Sequence, residues 1–150
     1  MIFRLEKLRL ALPLAVVDRV VRAVKITPLP GAPGIVIGAV NVAGSVLPVL
    51  NIRQRLFGVS RPILPSHQFI IAQSAGRRVV LVMDEAAGVT NRRPSDIVDA
   101  PGIAQGLEHV RGVVKLEDGL AVIHDLDAFL SVDEATELDR ALREEVGHGH

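Results

Sequence analysis

Ile35-Val36-Ile37-Gly38-Ala39-Val40-Asn41-Val42-Ala43-Gly44-Ser45-Val46-Leu47-Pro48-Val49-Leu50 is the stretch on which the fold turns. Two apolar, largely β-branched runs, 35–42 and 45–50, flank Ala43-Gly44, and Gly44 can take the positive φ of a tight turn. The pair predicts an antiparallel hairpin. Upstream, Thr27-Pro28-Leu29-Pro30-Gly31-Ala32-Pro33-Gly34 holds three prolines and two glycines, which exclude regular structure and fix an extended, turning loop. Stiff loops of this kind often carry function. Downstream, Asn51 is placed to cap a short helix through Phe57 that Gly58 ends.

The same short runs recur outward from this hairpin. Phe3 and Leu5, then Leu8, Leu10 and Leu12, alternate around Glu6-Lys7 and predict a half-buried hairpin that Pro13 terminates. Between Leu14 and Val21, Val16, Val17, Val20 and Val21 fall at helical spacing with Asp18, Arg19 and Arg22 among them, which predicts a short amphipathic helix. Residues 60–66, with Pro62 and Pro65, read as a surface connection. Gln68 to Gln73 and Arg77 to Met83 form a hairpin about Ala75-Gly76, and the unbroken run Val79-Val80-Leu81-Val82 predicts burial on both faces. Asp84 to Thr90 either extends that strand or begins another. Pro94-Ser95-Asp96-Ile97 reads as one helical turn, Asp99 to Glu108 as loop, and Val110–Leu116 with Leu120–His124 as a last hairpin about Asp118-Gly119.

The C-terminus changes character. Ser131-Val132-Asp133-Glu134 is a capping-box pattern, and a helix over 131–147 then carries the apolar stripe Ala135, Leu138, Leu142 and Val146, with Asp139 and Arg143 spaced to pair. That stripe requires a docking surface, supplied by this chain or by a partner.

The chain has 150 residues, about half of them apolar, which suits one compact domain or two small lobes sharing a core. It has no cysteine, so disulfides, thiolate metal sites and cysteine nucleophiles are excluded. Seventeen basic side chains balance seventeen acidic ones, and neither Trp nor Tyr is present, which argues against nucleic acid as a partner. Charges interrupt the opening Met1-Ile2-Phe3-Arg4-Leu5-Glu6 before a signal-like apolar run can form, and the longest apolar stretch, 35–42, is too short to cross a bilayer. A soluble, cytoplasmic protein with no direct membrane insertion is expected.

No catalytic or metal constellation is apparent. His124-Asp125 are adjacent on a predicted strand, so their side chains point apart and cannot form a dyad. His148 and His150 lack further ligands at finger-like spacing and read as a frayed tail. Asp84-Glu85, Asp96 and Asp99 match no calcium loop and read as solvated turn residues, and Arg77-Arg78 and Arg92-Arg93 as solvated basic pairs. None of Gly31, Gly34, Gly38 and Gly44 sits in a phosphate-cradling motif. The expectation is a non-enzyme without metal or cofactor, the rival being an enzyme built on His124 or the acidic residues.

Gly38, Asn41 and Gly44 stand in the spacing G-x-x-N-h-R-G, and Pro48 and Arg53 in h-h-P-h-h-D-h-R, directly after the proline-rich loop. With Gly76-Arg77-Arg78-Val79, Asp84, Leu107 to Leu116 ending in the Arg111–Leu116 strand, and Leu126 to Leu130 in the same order, the chain resembles the CheW family over nearly its whole length. The resemblance implies a mainly β fold in which 1–150 form one CheW-like domain of two intertwined, SH3-like, five-stranded β-barrel lobes about a shared core, with short helices and a groove between the lobes. It implies a signalling adaptor in bacterial chemotaxis, binding the regulatory domain of a CheA-like histidine kinase and the cytoplasmic tip of methyl-accepting chemoreceptors, with no cofactor.

By the same resemblance the receptor-facing groove includes Val17, Asn41, Phe69 and Val80, while Gly38 and Gly44 shape its backbone. Ordinary core packing is the alternative for Val17, Phe69 and Val80. Two positions depart from the family pattern: Ala43 stands where Arg is usual, and Arg19 where Glu is common. Asn51 replaces the family's Asp but keeps the capping role. The Arg19 and Ala43 changes leave a second expectation open, a stand-alone module serving a divergent or non-motility sensory pathway.

Overall fold

The computed structural model describes residues 1–6, 8–58, 62–74, 76–88, 97–99, 110–116, 119–124 and 132–148. The elements run β1 (Ile2–Leu5), β2 (Leu8–Ala11), β3 (Val17–Arg22), β4 (Val36–Val42), β5 (Ser45–Leu50), α1 (Ile52–Phe57), β6 (Gln68–Ser74), β7 (Arg77–Met83), β8 (Glu85–Gly88), β9 (Ile97–Asp99), β10 (Val110–Leu116), β11 (Gly119–His124) and α2 (Val132–His148). They form a six-stranded sheet, β8-β1-β2-β11-β10-β9, and a five-stranded sheet, β3-β6-β7-β5-β4. The mainly β architecture with a short helix and a C-terminal helix is the one the sequence predicts.

The predicted helix over 14–21 is instead a single 3-10 turn, Leu14–Val16, followed by the edge strand β3. The valines explain the outcome. Their branched Cβ atoms favour strand over helix, and pairing with β6 places Val20 against Ile70 and Val21 against Phe69. A register shift between Val17 and Arg19 breaks the two-residue alternation, and that bulge is what gave the segment its helix-like spacing.

Ile97 belongs to strand β9 rather than to a helical turn, with residues 94–96 outside the described set. The segment after Met83 starts a new strand: β8 leaves the five-stranded sheet and pairs with β1 in the other. The surface connection before β6 is described only from Pro62 onward, and the Asp99–Glu108 loop only at Asp99. In the last hairpin β10 and β11 pair as predicted, while residues 117–118 lie outside the described set.

β6 and β7 are the central strands and bury both faces, as the unbroken apolar run requires. Ile70, Ala72, Val79 and Leu81 join Phe3, Leu5 and Leu10 of the six-stranded sheet in one core, which also takes Leu50, Ile52 and Met83. Phe69, Ile71, Val80 and Val82 point the other way, into a second core with Val40, Leu47 and Val49. Each fully buried Val, Leu, Ile, Phe or Met side chain among them contributes roughly 1.5–3 kcal/mol.

The C-terminal helix docks on this chain's own core. Leu138 is fully buried, Ala141 nearly so, and Leu142 packs beside them. Asp139 accepts a hydrogen bond from Arg77 of β7 rather than serving Arg143. His148 belongs to the end of α2 rather than to a frayed tail.

Candidate functional site

The β4–β5 hairpin carries the most exposed cluster of the site residues. Val42 pairs with Ser45, leaving Ala43 and Gly44 as a two-residue connection. Their φ values, 50° and 87°, are both positive, the signature of a turn whose twist matches the flanking strands. Asn41 closes it by accepting the Gly44 N–H on Oδ1 at 3.0 Å. Gly44 was legible as the turn residue, whereas the left-handed Ala43 was not, because alanine carries a steric penalty of about 1–2 kcal/mol there. Asn41, Ala43 and Gly44 are exposed, and Val46 beside them is 47% exposed.

Gly38 fixes this hairpin to the rest of the sheet. A Cβ at Gly38 would lie 2.3 Å from the Thr27 carbonyl oxygen and 2.7 Å from Ile26 Cγ2. Glycine therefore lets the chain after β3 run against β4, where Thr27 and Ala39 exchange two backbone hydrogen bonds of 2.9 and 2.8 Å. A small hollow of about 160 Å³, lined by Thr27, Pro28, Leu29, Ala39, Asn41 and Val46 among others, joins the proline-rich loop to the turn.

The other four residues lie elsewhere. Phe69 and Val80 have no exposed surface and sit within the second core. Val17 is half-buried against the first core. Arg19 is 50% exposed, with its Nε 4.0 Å from Asp18. The structure thus brings Gly38, Asn41, Ala43 and Gly44 together, sets Val17 and Arg19 on β3 at the opposite end of the strand order, and keeps Phe69 and Val80 beneath the surface.

A polar cluster that the sequence did not single out lies where the two sheets meet. Arg53, from α1, donates to Asp84 Oδ1 and, through Nε, to Glu6 Oε1 at 3.0 Å. Asp84 Oδ2 also accepts the Glu6 N–H at 2.8 Å and Arg4 at 3.3 Å. His67 Nδ1 accepts the Leu64 N–H at 3.1 Å, so its ring proton is on Nε2, which lies 3.5 Å from Asp84 Oδ1. Burial pushes the Asp84 carboxyl upward, but the Glu6 N–H, Arg53 and Arg4 together outweigh it and hold the group below its ordinary value. These side chains line a cavity of about 490 Å³.

Asp84 is therefore a partly buried, multiply bonded acceptor and not a solvated turn residue. The sequence signal was present, since a carboxylate directly after a strand buried on both faces needs a partner. Arg77 and Arg78 are likewise not merely solvated, because they pair with Asp139 and Asp18. Glu85 is exposed, Asp99 lies in β9, and Asp96, Arg92, Arg93 and Asp125 fall outside the described residues.

In this cluster both arginines are already spent on carboxylates, an arrangement suited to joining two sheets rather than to moving protons. No group of three or more metal-ligating side chains occurs among the described residues. No described helix is long and apolar enough to cross a membrane.

The family model for the CheW-like domain matches residues 1–134. The chemotaxis protein CheW of Rhizobium meliloti (strain 1021) is 32% identical over 110 residues, 72% of this chain and 71% of that protein. Protein FrzA of Myxococcus xanthus is 31% identical over 126 residues, 83% of this chain and 79% of its own. Among solved structures, the scaffolding protein TtCheW from Thermoanaerobacter tengcongensis superposes with a TM-score of 0.79 at 26% identity, over 89% of this chain and 92% of that one.

Proposed function

This chain belongs to the CheW-like domain family, and on that premise we propose that it is a non-enzymatic cytoplasmic adaptor coupling chemoreceptors to a CheA-like histidine kinase. Its relatives include proteins named for chemotaxis, and the structural match is to a scaffolding protein. The observation that carries the reading is the hairpin tip: an exposed turn, Asn41–Gly44, locked by an internal hydrogen bond and anchored through Gly38 to a sheet buried on both faces. A rigid surface element on a packed support suits recognition, because little ordering entropy is lost on binding. Phe69 and Val80 support this face from below, and Val17 and Arg19 extend partner contact along β3.

A second reading, a module that binds the kinase while its receptor coupling is altered, is favoured by Ala43 and Arg19. Their charges differ from the family pattern at exposed positions, and charge complementarity governs specificity and encounter more than bulk affinity. Pull-downs with kinase regulatory domain and receptor tip separately distinguish the two readings. Binding of both supports the adaptor, and binding of the kinase alone supports the module. Gain of binding to conventional receptor tips by the double variant Arg19→Glu with Ala43→Arg would trace the difference to those charges, and no gain would refute that account.

A further inference from the structure

His67 is a buried imidazole, 8% exposed, whose two nitrogens have different partners. Nε2 faces Asp84 Oδ1 at 3.5 Å, and Nδ1 accepts the Leu64 N–H at 3.1 Å. The backbone completes the circuit, since the His67 N–H donates to the Leu64 carbonyl at 3.0 Å across Pro65-Ser66. The four-residue turn is therefore closed twice, once by the ordinary backbone bond of such turns and once by a titratable side chain. The His67 carbonyl also accepts the Ala23 N–H at 3.3 Å, which ties the turn to the chain leaving β3.

Only the neutral ring makes the second closure. The Nδ1 lone pair that holds Leu64 is the place where this tautomer takes up a proton, and imidazolium is a donor at both nitrogens. Protonation would set two donors, the Nδ1–H and the Leu64 N–H, against each other. Burial decides which gives way. The ring is enclosed and aimed at Asp84, whereas Leu64 is 51% exposed and lines, with Pro62, the cavity of about 490 Å³.

The charged groups that line this cavity with His67 are Arg4 from β1, Glu6 from the β1–β2 turn, Arg53 from α1, and Asp84 and Glu85 from the crossover between sheets. Asp84 favours a charged ring, and Arg53 and Arg4, bonded to the same carboxylate, oppose one. They bear on how readily the ring is charged. The clash at Nδ1 follows whenever it is.

We propose that His67 is a proton-operated latch on the Leu64–His67 turn: an unprotonated Nδ1 keeps the turn closed, and a proton there expels the Leu64 N–H and releases the Pro62–Leu64 wall of the cavity. The device belongs to this chain's own conformation and is independent of the adaptor's partners. Its test is NMR of the full chain, 15N- and 13C-labelled, from about pH 8 to about pH 5, the range in which free imidazole changes charge. At the upper end the ring nitrogens are expected to report Nε2–H with Nδ1 unprotonated. As the ring takes up its proton, the Leu64 amide protection factor is expected to fall at least about tenfold with the same midpoint, while Ile70 and Leu81 in the central strands keep theirs. His67→Asn offers Oδ1 as an acceptor in place of Nδ1 and takes up no proton, so Leu64 should stay protected throughout, and the same spectra report its fold. Asp84→Asn should retain the coupling between ring and amide. The latch is overturned by a ring that stays neutral over the whole range, or by one that titrates while Leu64 protection holds. It is equally overturned by His67→Asn losing Leu64 protection in step with the wild type, or by loss of the coupling in Asp84→Asn, which would assign the switch to the carboxylate. The wild-type coincidence of ring and amide decides the matter even where a variant fails to fold. Neither kinase nor receptor enters the experiment, so its failure leaves the adaptor reading standing.

Discussion

Arg53 on α1 donates to Asp84 at the point where the chain passes from β7 in one sheet to β8 in the other. The two side chains are 8% and 13% exposed. Around them, Asp84 also accepts the Glu6 N–H, and its own N–H donates to the Arg4 carbonyl at 2.9 Å. One carboxylate therefore ties α1 and β1 to the crossover between sheets. Arg53→Met should destabilise the protein by about 1–3 kcal/mol, because it leaves a partly buried carboxylate without its main partner. Urea unfolding measures this. A loss below about 1 kcal/mol would show that solvent already compensates Asp84.

Acid should weaken the same tie. Asp84 has a folded pKa below its unfolded value of about 3.9. Its contribution is therefore complete above the unfolded pKa and is lost as pH falls through the folded one. Stability measured from pH 6 downward should fall more steeply for the wild type than for Asp84→Asn, which keeps an acceptor for the Glu6 N–H but cannot titrate. Parallel profiles would place the acid-sensitive step elsewhere.

Much of this architecture was legible because local signals agreed with the tertiary environment. Asn51 caps α1 by accepting the Gln54 N–H at 3.1 Å, the helix ends at Gly58, and the run 79–82 is buried on both faces, each as predicted. The failures share one cause, since they depend on partners distant in sequence. β3 is a strand because β6 lies beside it, and the bulge after Val17 disguised its period. Asp84 is a hub because Glu6 and Arg53 meet it from 78 and 31 residues away. Of the candidate site, the turn at Gly44 was readable from local chemistry, whereas the hollow beside it exists only once Pro28 and Val46 are brought together.

Gly38→Ala tests whether close backbone approach holds the hairpin in place. The added methyl meets a carbonyl oxygen at 2.3 Å, and that oxygen is itself bonded to Ala39. Relief requires the Ile26–Thr27 segment to move away from β4. A loss of about 1–3 kcal/mol is expected, the range for overpacking a fitted site. Amide exchange at Thr27 and Ala39 should rise more than at Ile70 or Leu81 in the central strands. Unchanged protection at Thr27 would mean that the segment moves without losing the bridge.

Ala43 separates the demands of the turn from those of recognition. At a φ of 50° alanine bears a left-handed penalty of about 1–2 kcal/mol, and glycine removes it while adding roughly 0.5–1 kcal/mol of unfolded-state entropy. Ala43→Gly should therefore stabilise the fold by a few tenths to about 1 kcal/mol. Ala43→Arg retains a Cβ and should leave stability within about 0.5 kcal/mol of wild type, since its side chain extends from an exposed tip. Thermal unfolding of the two variants, followed by partner binding, then decides what the position does. If Ala43→Arg alters binding with stability unchanged, the tip acts by direct contact. If Ala43→Gly alters binding equally, the backbone shape of the turn is what the partner reads, and the missing arginine charge is not the cause.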